Sequence, residues 1–93
     1  MNQPAAPGLR LDKWLWHARF IKVRGLAAGL VAERRIRLND QIVAKTHQLV
    51  RAGDVLTLRQ GEKLHVLRVL DLGQRRGPAS EARLLYEELL SEA

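Results

Sequence analysis

The chain has 93 residues, 46% of them hydrophobic, and carries a formal net charge of +6 with a pI near 10.8. That is one domain, near the lower end of what a single core sustains. The absence of cysteine excludes disulfides and thiolate metal sites and fits a reducing, cytoplasmic setting. No run nears the roughly eighteen apolar residues of a membrane span, and the MNQPAAPG start lacks the pattern of a secretory signal.

The charge is local. Residues 10–37 hold eight Lys/Arg against two acids, a net of +6, so the other 65 residues sum to zero. Concentrated this way, the excess makes one local field, which suits a polyanion whose phosphates release counterions on neutralisation.

Residues 1–8 contain two prolines and a glycine without periodicity and read as a disordered leader. Leu11, Trp14, Leu15 and Ala18 fall at helical spacing, predicting a helix over 10–19 with Asp12 in its first turn. Phe20–Val23 reads as a connector. A second helix is expected over 24–34, with Leu26, Ala27, Leu30 and Val31 on one face. The period then changes. Residues 35–38 and 41–44 around Asn39-Asp40 read as a hairpin. Residues 49–54 make a turn leading into a strand, and 55–59 and 64–70 form a strand pair. Residues 71–77 form a basic loop with Arg75 and Arg76. Pro78 opens a last helix expected to run over 78–93 and to cover the sheet. That segment has a net charge of −3, so it is expected to point away from a polyanion.

At this point the residues carry a resemblance. Arg10-Leu11-Asp12-Lys13 with Leu15, then Arg19, Lys22 and Arg24, then Asn39 and Gly53-Asp54, resemble the S4-type RNA-binding domain. Leu56-Thr57-Leu58-Arg59-Gln60-Gly61, Pro78-Ala79-Ser80-Glu81-Ala82 and Leu85-Tyr86-Glu87-Glu88 are similar to the ribosome-associated fifteen-kilodalton heat-shock protein family. The resemblance implies an α+β, S4-type (alpha-L) fold over residues 9–77: two helices in a helix-turn-helix-like arrangement, a small mainly antiparallel sheet, then the C-terminal helix. It further implies binding to structured RNA, namely ribosomal RNA of free large subunits that retain a nascent chain on tRNA, with possible contact to that tRNA. Three positions depart from the family pattern. Val23 stands where Ser or Thr is usual, Glu33-Arg34 where the second helix ends in Gly, and Asn39-Asp40 where the hairpin has Asn-Gly.

The expected RNA-binding residues are Arg10, Lys13, Trp16, Arg19, Lys22, Arg24, Arg34, Arg35 and Arg37. Such a surface contacts phosphates and reads shape, because A-form RNA hides its base edges. Trp16 either stacks on a base or packs within the fold. Trp14 belongs to the core. Asp12 serves as a cap or as an ion-pair partner that orients Arg19 or Arg24. Arg35 and Arg37 alternate with Ile36 and share a strand's outward face. Arg75 and Arg76 either extend the surface or sit in a plain exposed loop. His17, His47 and His65 lack metal-ligand spacing, so neither metal nor cofactor is expected.

Of the competing classes, an enzyme would need a glycine-rich phosphate loop or a nucleophile–base pair, and neither is visible. A DNA-reading helix would carry polar residues where the second helix has Ala, Gly and Leu. A small-RNA partner or a role in ribosome assembly stays open, and a monomer is the default at this size.

Overall fold

The computed structural model describes residues 7–92. Of the expected leader, residues 1–6 lie outside that range, while Pro7 and Gly8 are exposed. The elements run β1 (Leu9–Arg10), α1 (Leu11–His17), α2 (Leu26–Ala32), β2 (Ile36–Leu38), β3 (Gln41–Ile42), β4 (Leu49–Val50), β5 (Val55–Gln60), β6 (Lys63–Val69), α3 (Ala79–Ala82), a 3-10 turn (Arg83–Leu85) and β7 (Tyr86–Glu92).

The predicted stripe of α1 is the centre of the core: Leu11, Trp14 and Leu15 are fully buried and Ala18 nearly so. They meet Ala27 of α2 and the inward residues Ile36, Leu56, Leu58, Leu67 and Val69 of the sheet. The N-terminus of α1 has no side-chain cap. Its first free N–H groups donate instead to the backbone, Leu11 to Gln48 O at 2.8 Å and Asp12 to Thr46 O at 3.2 Å. A short ladder of β1 on β4, with Leu9 opposite Val50, holds that turn in place. The sequence did not reveal this ladder, since two-residue strands leave no period to detect.

Both helices end alike. After α1, the N–H of Arg19 bonds Trp16 O at 3.2 Å and that of Phe20 bonds Leu15 O at 2.9 Å. After α2, Arg34 bonds Val31 O at 3.0 Å and Arg35 bonds Leu30 O at 2.9 Å. These are Schellman closures, which need a left-handed residue at the first position beyond the cap. Arginine occupies it both times, with φ of 66° at Arg19 and 57° at Arg34. The missing family glycine therefore leaves the turn intact and strains it. The hairpin departure resolves similarly: Asn39 and Asp40 both take positive φ, 50° and 69°, as a type I′ turn requires. Asn39 also accepts from Val55 N at 2.9 Å and donates to Asp54 at 3.1 Å.

The main sheet has the order β3-β2-β5-β6-β7, all antiparallel. Here the C-terminal reading needs correction. The helix expected over 78–93 is one turn, Ala79–Ala82, followed by a 3-10 turn; residues 86–92 are strand β7 on the edge of β6. Adjacent leucine pairs made the period ambiguous, and the open edge of β6 decided it. There the segment gains a full ladder, an Arg68–Glu87 bridge at 2.8 Å and a His65–Glu88 pair at 2.8 Å. Helix propensity gives way to such tertiary pairing. Of the last leucines, Leu85 is buried and Leu84 is 72% exposed. Smaller shifts concern α1 and α2, which are shorter than expected, and the apolar face expected of α2, of which Ala27 is buried, Leu30 and Val31 are partly buried and Leu26 is exposed.

Arg34→Gly should raise unfolding free energy by about 1 kcal/mol, because relief of left-handed strain exceeds the added chain entropy. Urea denaturation checks it; no gain would mean that Arg34 is unstrained.

Candidate nucleic-acid interface

The expected basic residues fall into three groups. The first surrounds Asp12, which α1 buries to 8% exposure. Arg10 donates to it through Nε at 3.2 Å and through Nη2 at 2.9 Å. Arg24, twelve residues on, donates through Nη2 to Oδ1, the oxygen that also accepts from Arg10 Nε, at 3.2 Å. Asp12 was expected to orient Arg19 or Arg24; Arg24 is the one it holds, and Arg10 takes the place of Arg19. Burial works to raise the Asp12 carboxyl, but the hydrogen bonds and charges of Arg10 and Arg24 outweigh it and hold it below its ordinary value. Both guanidinium groups stay about half exposed, at 50% and 41% of their side chains, so each keeps donors for an outside anion. Lys13 lies half-buried one residue on from Asp12.

The second group gathers where α2 meets the sheet. Arg34, Arg35 and Arg37 line a cleft with Glu33, Thr57, Leu64 and Arg59. Arg35 is tied to Glu33 at 2.6 Å. Arg35 and Arg37 do share the outward face, while Ile36 between them is fully buried. Lys22 is exposed in an adjoining cleft that shares Glu33 and is lined by Leu26, Gln60 and Gly61. Gln60 fixes the connector by donating to Phe20 O at 2.7 Å.

The third group centres on Arg19, whose cleft meets that of Lys22 at Phe20. Arg19 is exposed, yet its Nε donates to Gly77 O at 2.7 Å and so braces the 71–77 loop. Trp16 is half-buried, with the Arg76 guanidinium 5.9 Å from its ring centroid. The ring thus has an intramolecular cation–π partner, and the fold uses at least part of the surface a base would need. Arg75 pairs with Glu81 at 2.7 Å. Two of the histidines are also structural. His17 Nδ1 lies 3.1 Å from Leu72 O, so it carries the proton and donates; His65 sits edge-on to Phe20 at 5.4 Å. Among the described residues no three His, Cys, Asp or Glu side chains group as a metal site would require. No described helix is long and apolar enough to cross a membrane.

Arg59, read in the sequence only as part of a strand and of the family-like run, was not among the expected RNA contacts. Its signal was present in the alternation of Val55–Gln60, which puts Thr57 and Arg59 on one face, but their strand neighbours become known only with the register.

The S4 domain family matches residues 9–56, the stretch that contains α1, α2, the β2–β3 hairpin and the Asp12 fork. The chain belongs to the S4 domain family. Within it, heat shock protein 15 of Escherichia coli K12 is 43% identical over 88 residues, covering 95% of this chain. The match spans 65% of that relative, so this S4 chain covers just under two thirds of its length. The RQC P-site tRNA stabilizing factor of Bacillus subtilis is 38% identical over 87 residues, covering 90% of this chain and all of that protein. A trimeric structure of Vibrio cholerae heat shock protein 15 superposes with a TM-score of 0.81 at 39% identity, covering 88% of this chain and 82% of that one. The α+β, S4-type architecture is therefore shared with a solved relative.

Asp12→Asn separates charge from geometry in this S4 surface. It makes the protein more basic, so a diffuse field predicts tighter RNA binding; loss of the fork predicts weaker binding, by several-fold, and that is the expected result in fluorescence anisotropy. A linked pH effect follows. The folded-state pKa is depressed, so the stabilisation is fully present above the unfolded carboxyl value of about 3.9 and is lost as pH falls from there through the lower folded-state value. Wild type should lose stability below about pH 4 more steeply than Asp12→Asn in denaturation at stepped pH.

Proposed function

We propose that this chain is a non-enzymatic, cytoplasmic RNA-binding protein that associates with ribosomal RNA on free large ribosomal subunits. The observation that carries the reading is the Arg10–Asp12–Arg24 fork, two half-exposed guanidinium groups held from one buried carboxylate within the S4-matched span. A fixed pair of cations binds phosphate with less ordering cost than two mobile ones, and guanidinium suits bidentate contact. Arg10, Lys13, Lys22 and Arg24, with Arg34, Arg35 and Arg37, are the phosphate contacts. Arg19 joins them through the donors its bond to Gly77 leaves over, and Trp16 lies beside them.

The names of the relatives support the ribosomal partner. One is a P-site tRNA stabilizing factor and the other a heat shock protein, so contact with tRNA on a subunit with a stalled nascent chain, under heat stress, is the setting we assign. The chain acts as a monomer in this reading, which light scattering tests directly against the trimeric Vibrio cholerae relative. A role in ribosome assembly or small-RNA binding is the second reading, favoured by the shape-reading character of the surface.

Lys22→Glu with Arg24→Glu should abolish RNA binding at physiological salt while circular dichroism stays unchanged. Co-sedimentation decides between readings: strong association of wild type with free large subunits, and little with whole ribosomes or bulk RNA, is the expected result. Equal, weak binding to all three would leave the small-RNA reading, and normal RNA binding by the double variant would sink the proposed surface.

A further inference from the structure

The outward face of the sheet is chemically graded. Arg37 on β2, Arg35 just before that strand, and Arg59 with Thr57 on β5 make one end basic. On β6, Leu64 and Val66 are apolar and Arg68 is bridged to Glu87 at 2.8 Å, while Leu90 and Glu92 stand opposite β6 at the far edge. Within the basic end, Arg37 is directly opposite Thr57. The pairing of Ile36 with Leu58 puts Arg35 opposite Arg59, whose N–H bonds Arg35 O at 2.9 Å. Like charges facing each other across a ladder are destabilising. Glu33 offsets only Arg35. Among the described residues, Arg34, Arg37 and Arg59 have no carboxylate partner. Arg34, at the rim, adds a strained backbone. Two unfavourable features thus converge on one cleft, the pattern expected where a ligand and not stability dictates the residues.

We propose that this cleft, whose Arg34, Arg35 and Arg37 already belong to the RNA surface, becomes through Arg59 and Thr57 a second RNA subsite apart from the Asp12 fork, in which Arg37 and Arg59 with the Thr57 hydroxyl take successive backbone phosphates, while Glu33 positions Arg35 beside them. The inference rests on the RNA-binding reading above and extends it beyond residues 9–56, because Arg59 lies outside the S4 match. Three arguments favour a nucleic-acid strand. Arg37 and Arg59 are diagonal neighbours across the β2–β5 ladder, about 7–8 Å apart, close to the interval between successive phosphates of a strand. The cleft adjoins the one lined by Lys22 through the shared Glu33, so an RNA on the helix surface continues into it. The acidic edge strand lies three strand spacings from β2, roughly 14 Å, beyond the screening length of about 8 Å at physiological salt, so it leaves the basic end's attraction intact.

The test is the variant Arg37→Gln with Arg59→Gln, titrated against a fluorescein-labelled RNA hairpin at several salt concentrations beside Lys22→Glu with Arg24→Glu. The proposal expects affinity to fall roughly tenfold and the salt slope by about two units, while the melting temperature holds or rises because the cross-strand repulsion is gone. Arg59→Lys, which keeps the charge, should retain the slope, and it carries the test if the double glutamine variant does not fold. Unchanged affinity and slope in the glutamine variant, with binding lost in the Lys22/Arg24 variant, would overturn the second site and leave the main surface standing. No effect from either variant would overturn both. A glutamine variant that loses affinity for poly-glutamate but not for RNA would overturn it in favour of an acidic protein partner.

Discussion

Helix α1 is seven residues long, about half the length at which an isolated helix persists in water. Everything proposed for this protein depends on what holds that helix rigid from outside. Two of its own side chains and one just beyond it reach the same loop: Trp14 Nε1 donates to Asp71 O at 2.9 Å, His17 to Leu72 O at 3.1 Å and Arg19 to Gly77 O at 2.7 Å. At the other end the backbone of residues 46–48 takes its first N–H groups. Between these ties the buried stripe of Leu11, Trp14 and Leu15 presses on the sheet. Loss of any one tie would leave the helix packed, but its ends would fray, and the ends carry Arg10 and Arg19. The rigid body that presents the charges is the whole fold and not the helix alone.

Arginine at both Schellman positions links the backbone to the electrostatics. A glycine there would be easier on the chain, yet it would carry no charge. An arginine at a helix C-terminus meets the negative end of the helix dipole, which returns part of the conformational cost. The left-handed turn also changes the chain's direction at the residue that bears the cation, so the guanidinium leaves the helix face instead of lying along it. At Arg34 this places the charge at the junction of α2 and β2, on the rim shared with the sheet cleft. At Arg19 the same geometry is turned inward, toward Gly77.

What could be read from the sequence follows from how local each signal is. The stripe of α1, the hairpin at Asn39-Asp40 and the alternation of β5 and β6 are short-range patterns, and each is present where expected. The basic cluster was equally plain as a run of charge. The β1–β4 ladder and strand β7 were not legible, because both exist only through partners forty or twenty residues away. Tyr86–Glu92 reads as helix by composition and becomes strand because β6 would otherwise end the sheet with open donors and acceptors. The same limit explains Arg59. Its residue type and face were readable, while its position opposite Arg35 depends on register. Asp12 was legible as an orienting acid, and which arginines it orients depended on how the connector folds back.

The graded sheet face has a consequence for motion toward a partner. With basic side chains on β2 and β5 and the carboxylates of β7 at the far edge, where Arg68 offsets Glu87, the sheet is asymmetric in charge as well as part of a net cation. A net charge draws a protein to a polyanion from any angle; a dipole also applies a torque and turns it before contact. Encounters then begin with the basic end leading, and fewer collisions are wasted on wrong orientations. In the proposed RNA-binding role, the acidic strand at the far edge helps to choose which way the protein arrives.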